Sequence, residues 1–232
     1  MKKLALFDFC ETLVSFQTAG PYIDFIRNNV QSKQMLRLEK IRSVLKKTRV
    51  TAVFNKLFPL YNFDKRVKLL QLRGFNKSTL ERFAEEYYKN FIIPHLIPEL
   101  VDEIKKKQSQ GFIVTIVSGG FSIYMDYFAK DHNINNVIAS EISFDANEIC
   151  TGKIKGNDCM FHYKIDKLIT HFSSEKINAS ESVAYSDSIT DLPLLAWAGE
   201  GVVVSNEQSQ SWAKLNGLSE IVWKKHEPLI SK

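Results

Sequence analysis

Leu4-Ala5-Leu6-Phe7-Asp8-Phe9-Cys10-Glu11-Thr12-Leu13 is the stretch on which the fold turns. Four consecutive apolar residues read as a short buried strand, and Asp8 ends it. That aspartate stops the apolar run far short of the ~18 residues a membrane helix requires. It also leaves a carboxylate at the carboxyl end of a strand. The opening Met1-Lys2-Lys3 mimics the start of a secretory leader, but Asp8 interrupts the apolar part and no small-residue cleavage site follows, so no leader is expected.

Working outward, the segment up to Gly111 reads as helical. Tyr22, Ile23, Ile26 and Val30 share one helical face, and Leu38, Ile41 and Leu45 another. Ser78-Thr79-Leu80-Glu81 has the spacing of a capping box, with Leu80, Phe83, Ala84 and Tyr87 as the stripe behind it. Pro98 suits the first turn of a helix that buries Ile97, Leu100, Val101 and Ile104. Beyond Gly111 the rhythm changes. Phe112–Val117 is predicted to be a buried strand and Ser118-Gly119-Gly120 a tight turn, followed by a helix carrying Tyr124, Tyr127 and Phe128. Val137–Ser140 is a weak strand, and Ile142–Phe144 with Cys150–Ile154 suggests a hairpin around Asp145-Ala146-Asn147-Glu148. A helix with Ile165, Leu168, Ile169 and Phe172 follows. Val183–Ser186, Val202–Ser205 and Ile221–Trp223 then read as strands separated by short helices. Short apolar strands alternating with helices predict an α/β fold, a mainly parallel sheet covered on both faces. The helical stretch is then an insert after the first strand. The expected division is 1–13 and 91–232 for the α/β core and 14–90 for the insert.

Composition agrees with an ordinary globular chain: 232 residues, 44% hydrophobic and 25% charged, which excludes disordered, collagen-like and coiled-coil classes. Three cysteines, Cys10, Cys150 and Cys159, make an odd set without paired spacing, so no disulfide framework and a cytoplasmic location are expected. Cys159 and His162 have a zinc-like spacing but no second pair, which favours loop or core roles. Charge is uneven. Val14–Asn90 holds 16 basic and 6 acidic residues, and Arg27–Lys56 holds nine basic residues against Glu39 alone. Such a stretch is either a solvated helix surface or a field that attracts anions or nucleic acid.

In open α/β sheets, chemistry gathers beyond the carboxyl ends of the strands. Those ends carry Asp8, Cys10 and Thr12, then Ser118 and Gly119, then Asp187 and Asp191; Lys164 opens the intervening helix. Carboxylates, a hydroxyl, backbone amides and a lysine converging on one crevice suit phosphoryl transfer. One carboxylate attacks phosphorus, others hold Mg²⁺, and the serine, amides and lysine neutralise the phosphoryl oxygens.

Phe7-Asp8-Phe9-Cys10-Glu11-Thr12-Leu13, Ile116-Val117-Ser118-Gly119-Gly120, Lys164 and Ser186-Asp187-Ser188-Ile189-Thr190-Asp191-Leu192-Pro193 resemble, in order, the four motifs of the haloacid dehalogenase superfamily. The SGG and SDSxxDLPLL runs look most like its phosphoserine-phosphatase-like branch, in which a helical cap is inserted after the first motif of a Rossmann-like core. The resemblance covers nearly the whole chain. It implies that Asp8 is the nucleophile and a Mg²⁺ ligand, and that the Cys10 carbonyl is a second ligand. Ser118, Gly119 and Lys164 would bind the phosphoryl group. Asp187 would ligate the metal, Asp191 would support metal and lysine, and Thr12 would brace the loop. Lys153, Lys155 and Lys167 lie close enough in sequence to compete with Lys164 for its role.

Two departures matter. The family's phosphatases have an aspartate two residues after the nucleophile that protonates the leaving oxygen; this chain has Cys10, a poor acid. Loss of a general acid–base typically costs 10²–10⁴ in rate. Glu11 is adjacent, at a position where the family often has glycine. Phosphoserine phosphatases also have a glutamate nine residues past the nucleophile that reads the substrate ammonium; this chain has Gln17. Arg66 loosely matches their carboxylate-binding arginine, or is a solvated surface residue. The expectation is a Mg²⁺-dependent phosphatase or phosphotransferase on a small phosphorylated metabolite, with the cap closing over Asp8. The alternative is a slow or silent module that binds a phosphorylated ligand. Neither a membrane nor nucleic acid is expected as a partner.

Overall fold

The central strand of the protein is β1 (Leu4–Phe7), whose four side chains are all fully buried. The computed structural model describes residues 1–30, 32–58 and 61–224. The sheet has seven strands in the order β4-β3-β2-β1-β5-β6-β7. β2 is Ile113–Phe121, β3 Asn136–Phe144, β4 Cys150–Lys155, β5 Val183–Ser186, β6 Glu200–Asn206 and β7 Ser219–Trp223. All neighbours pair in parallel except β3 with β4. Pairing of Phe7 with both Ile116 and Tyr185 aligns the carboxyl ends of β1, β2 and β5. Strand order reverses on either side of β1, and a crevice opens at such a switch point.

Alternation along β1 divides the core. Ala5 and Phe7 join one apolar cluster, Leu4 and Leu6 the other, so the sheet is covered on both faces as its apolar strands demand. The Phe7 ring stacks on Tyr185 at 4.3 Å between centroids.

Between β1 and β2 the chain forms α1 (Ala19–Asn29), α2 (Lys33–Lys47), α3 (Val50–Leu57), α4 (Phe63–Leu69), α5 (Lys77–Tyr87) and α6 (Pro98–Ser109). Tyr22, Ile23 and Ile26 of α1 and Leu80, Phe83, Ala84 and Tyr87 of α5 are buried against the core. Val14 bridges Leu96, and Ile97 N donates to Leu13 O at 2.9 Å, so outgoing and returning chains run side by side. Pro98 starts α6 as expected. α7 (Ser122–Asp131), α8 (Tyr163–His171), α9 (Leu192–Trp197) and α10 (Ser211–Leu215) link the later strands.

Three local expectations are corrected. Ser118-Gly119-Gly120 is not a turn but the bulged end of β2, whose register against β3 shifts between Ser118 and Phe121. The Ser78–Glu81 box does not cap a helix, because α5 already starts at Lys77 with Asn76 before it. The Leu38, Ile41 and Leu45 stripe is not a buried face: α2 fully buries only Met35, and Ile41 is exposed.

Candidate active site

Asp8 leaves the end of β1 with its backbone N–H donating to Tyr185 O at 2.9 Å, which ties the loop to β5. Its carboxylate is buried and accepts from Lys164 Nζ at 2.8 Å. The same ammonium reaches Asp191 Oδ2 at 2.5 Å, and Ser186 Oγ donates to that oxygen at 2.7 Å. Lys164 therefore lies between two carboxylates, and the competing lysines do not. Thr12 joins the first loop to the last. Its hydroxyl donates to Asp187 Oδ1 and accepts from Asp187 N, both at 3.0 Å.

The electrostatics follow from three neighbouring acids, two of which share one buried cation. Burial raises the Asp8 carboxyl above its ordinary range; Lys164 pulls it down and Asp191 pushes it up. Burial and then the Asp8 charge push Asp187 up to about 7. Burial disfavours the Lys164 charge, but Asp8 and Asp191 outweigh it and hold the ammonium above its usual range. The Asp8 and Asp187 carboxylates thus repel each other. Among the described residues no three His, Cys, Asp or Glu side chains converge on one metal position. Mg²⁺ asks for less: one or two carboxylates, the rest of its shell coming from waters and substrate oxygens. The mutual repulsion of Asp8 and Asp187 fits that requirement. Asp191 is turned to Lys164 and Ser186.

Cys10 points elsewhere. Its Sγ lies 3.0 Å from Thr18 Oγ1, which lies 2.7 Å from the Tyr124 hydroxyl, and that oxygen accepts from Phe121 N at 2.9 Å. Burial, reinforced by Asp8, pushes the thiol up to about 11, so it is protonated at neutral pH. Glu11 adopts φ 57°, the left-handed region in which glycine is unstrained.

The crevice, about 180 Å³, is lined by Asp8, Cys10, Gln17, Ser118, Gly119, Lys164, Asp187 and Asp191 among others. That volume is below the ~300 Å³ at which drug-sized pockets begin, so it suits a small ligand. A larger groove of about 640 Å³ between α7, β3 and α8 contains none of these residues. Gln17 donates to Glu11 Oε2 at the mouth. Arg66 is not in the crevice: its guanidinium stacks over Tyr61 and donates to Tyr61 O at 2.7 Å. The residue that enters is Lys65, one position earlier and about 100° around the helix. Its Nζ contacts Gly119 O and Asp158 Oδ1, each at 2.5 Å, and Ser140 Oγ at 3.2 Å. Sequence reasoning missed Lys65, Asp158 and Thr18, and the signal available for Lys65 was only its place beside Arg66.

A family model described as haloacid dehalogenase-like hydrolase matches residues 5–196. Phosphoserine phosphatase of Lactococcus lactis subsp. lactis is 32% identical over 138 residues, covering 55% of this chain and 62% of that protein. This chain thus matches less than two thirds of that relative's length. Among solved structures, a protein of unknown function from Bordetella pertussis Tohama I superposes with a TM-score of 0.73 at 20% identity, over 95% of this chain and 98% of the other. A phospho-aspartyl intermediate analogue of phosphoserine phosphatase superposes with a TM-score of 0.60 at 21% identity, over 97% and 95%. At those identities the structures show a shared fold.

Proposed function

The chain belongs to the haloacid dehalogenase-like hydrolases, and on that premise we propose that it is a Mg²⁺-dependent phosphatase or phosphotransferase acting on a small phosphorylated metabolite. The observation that carries this reading is Lys164 held between Asp8 and Asp191, with Asp187 fixed alongside by Thr12. An Asp8 oxygen attacks phosphorus, the bond to the leaving oxygen breaks, and an aspartyl-phosphate forms on Asp8. Lys164 and the Ser118 hydroxyl neutralise the phosphoryl oxygens, aided by the backbone of Gly119. Asp8, Asp187 and the Cys10 carbonyl would hold Mg²⁺, which would supply further neutralisation there; Asp191 would support that site and holds Lys164 in place. Residues 14–90 serve as the cap. Val14 at its start pairs with Leu96 just beyond its end, which makes this pairing the hinge, and Lys65 carries the cap down onto Gly119 and Asp158. Gln17 contacts the leaving group from the mouth. Arg66, stacked on Tyr61, does so only if the cap rearranges.

Cys10 shapes the second half of the reaction. A buried, protonated thiol bonded to Thr18 neither protonates an alkoxide well nor activates water. The site therefore favours a leaving group that departs without a proton, or transfer to an acceptor other than water. The same observation supports the second reading, a slow or silent module that binds phosphorylated ligand. The deciding experiment follows phosphate release from a phosphometabolite set and an aryl phosphate with and without Mg²⁺, beside Asp8→Asn. Mg²⁺-dependent release lost in Asp8→Asn supports an enzyme. Ligand binding without release in either protein supports the silent module, and unaffected release in Asp8→Asn overturns the Asp8 mechanism.

A further inference from the structure

The hairpin of α2 and α3 turns most of its large apolar side chains outward. At 3.6 residues per turn, Leu36, Val44 and Ile41 of α2 lie within an arc of about 140°, and that arc faces solvent. The opposite side of α2 buries one apolar residue, Met35, and beside it holds Glu39 and Arg42. These are tied inward: Arg42 to Asp64, and Glu39 to Arg27 and Gln71. On α3, Val50, Val53 and Leu57 fall within about 60° of one another and are also exposed. Phe58 and Tyr61 continue the surface. These eight apolar side chains are 45–67% exposed, and they make up most of the large exposed apolar residues among the described part of the chain.

Cations are interleaved with them. Lys33, Arg37, Lys40 and Lys47 fall in the same arc of α2 as Leu36 and Val44, and all four are exposed. Arg49 and Lys56 add two more on the turn and on α3. None of these six has an ion-pair partner among the described residues. A second copy of this chain would bring like charge against like charge. Nucleic acid would satisfy the charge but not the aliphatic side chains. A surface offering both negative headgroups and an apolar layer satisfies both.

We propose that the α2–α3 hairpin is a peripheral docking surface for an anionic lipid bilayer. Leu36, Val44, Val53 and Leu57 enter the headgroup boundary, and Arg37, Lys40 and Lys47 pair with lipid phosphates. The absence of a helix able to cross a membrane among the described residues does not bear on this, since a surface helix need not span. Phe54 packs on Phe63 at 4.6 Å, so the hairpin rests directly on α4, the helix that sends Lys65 into the crevice. Docking would place the crevice beside the membrane.

The test is flotation of the full chain with vesicles of phosphatidylcholine alone and of phosphatidylcholine with phosphatidylglycerol, near physiological salt. Binding to the anionic vesicles only is expected. It should fall on the order of a hundredfold in Arg37→Gln/Lys40→Gln/Lys47→Gln, at roughly fivefold per lost charge. It should also fall in Val53→Ser/Leu57→Ser, whose side chains are already exposed and whose fold, checked by circular dichroism, should be intact. Three outcomes overturn the proposal: no binding to anionic vesicles, equal binding to neutral ones, or unchanged binding in the serine variant with displacement by oligonucleotide. A wild-type dimer in sedimentation that Val53→Ser/Leu57→Ser converts to monomer, without lipid binding, assigns the surface to a second copy and equally overturns it.

Discussion

Lys65, on α4 between β1 and β2, makes its ion pair with Asp158, on the loop after β4, at 2.5 Å, with the two side chains only 10% and 1% exposed. Burial lowers the lysine from its usual range and Asp158 opposes that fall. Asp158 Oδ2 has no hydrogen-bond partner among the described residues, so the carboxylate depends on Lys65 and Ser140 through its other oxygen. A pair of this kind joins two parts of the chain 93 residues apart.

Removing one member leaves a buried charge. Lys65→Met is expected to cost about 3 kcal/mol, and adding Asp158→Leu to recover much of that loss. Denaturant unfolding of the two single variants and the double variant measures the coupling. Additive losses would show that the two residues do not depend on each other.

Cys10→Asp supplies the carboxyl that the proposed reaction lacks two residues after Asp8. Release of phosphate from alkyl esters should rise by 10²–10⁴. An aryl phosphate, whose leaving oxygen needs no proton, should gain much less. Parallel kinetics on the two substrates read out the difference; equal gains would remove proton donation as the missing element.

Glu11→Gly relieves a left-handed residue without touching a core side chain. Stability should rise by about 1 kcal/mol, which for a chain of this size is roughly 2–4 °C in Tm. The gain is reduced by whatever the contact with Gln17 contributes, so Gln17→Ala is the matching control in the same thermal scan.

Glu39 makes the insert acid-sensitive. Hydrogen bonding from Arg42, helped by Gln71 and opposed by burial, holds its carboxyl down at about 2 against an ordinary 4.5. A depressed acid stabilises fully above its unfolded value, and that contribution is lost as pH falls from about 4.5 to 2. With partial exposure to solvent the loss is about 1–2 kcal/mol. Glu39→Gln should be less stable at pH 7 and show a flatter stability profile over that window, measured by urea unfolding at stepped pH.

The apolar strands, the placement of Asp8, Ser118, Asp187 and Asp191 at or near their carboxyl ends, and Lys164 at the start of a helix were legible in the sequence. Strand burial follows from local apolar runs, and the chemistry-bearing residues are short-range punctuation at strand ends. Lys164 was separable from Lys153, Lys155 and Lys167 only by family pattern, and the structure distinguishes it by the two carboxylates on either side. The insert was harder. One residue of helical phase separates Arg66, stacked outside on Tyr61, from Lys65, buried on Asp158, and charge alone does not reveal that phase. The outward turn of Ile41 likewise contradicts its own apolar stripe, because the paired charges of Glu39 and Arg42 bind α2 to the rest of the insert from the other side. Local periodicity determined which segments are helix and strand. Which face of α2 turns inward, and which lysine reaches the crevice, depended on partners far away in sequence, so only the tertiary structure decided them.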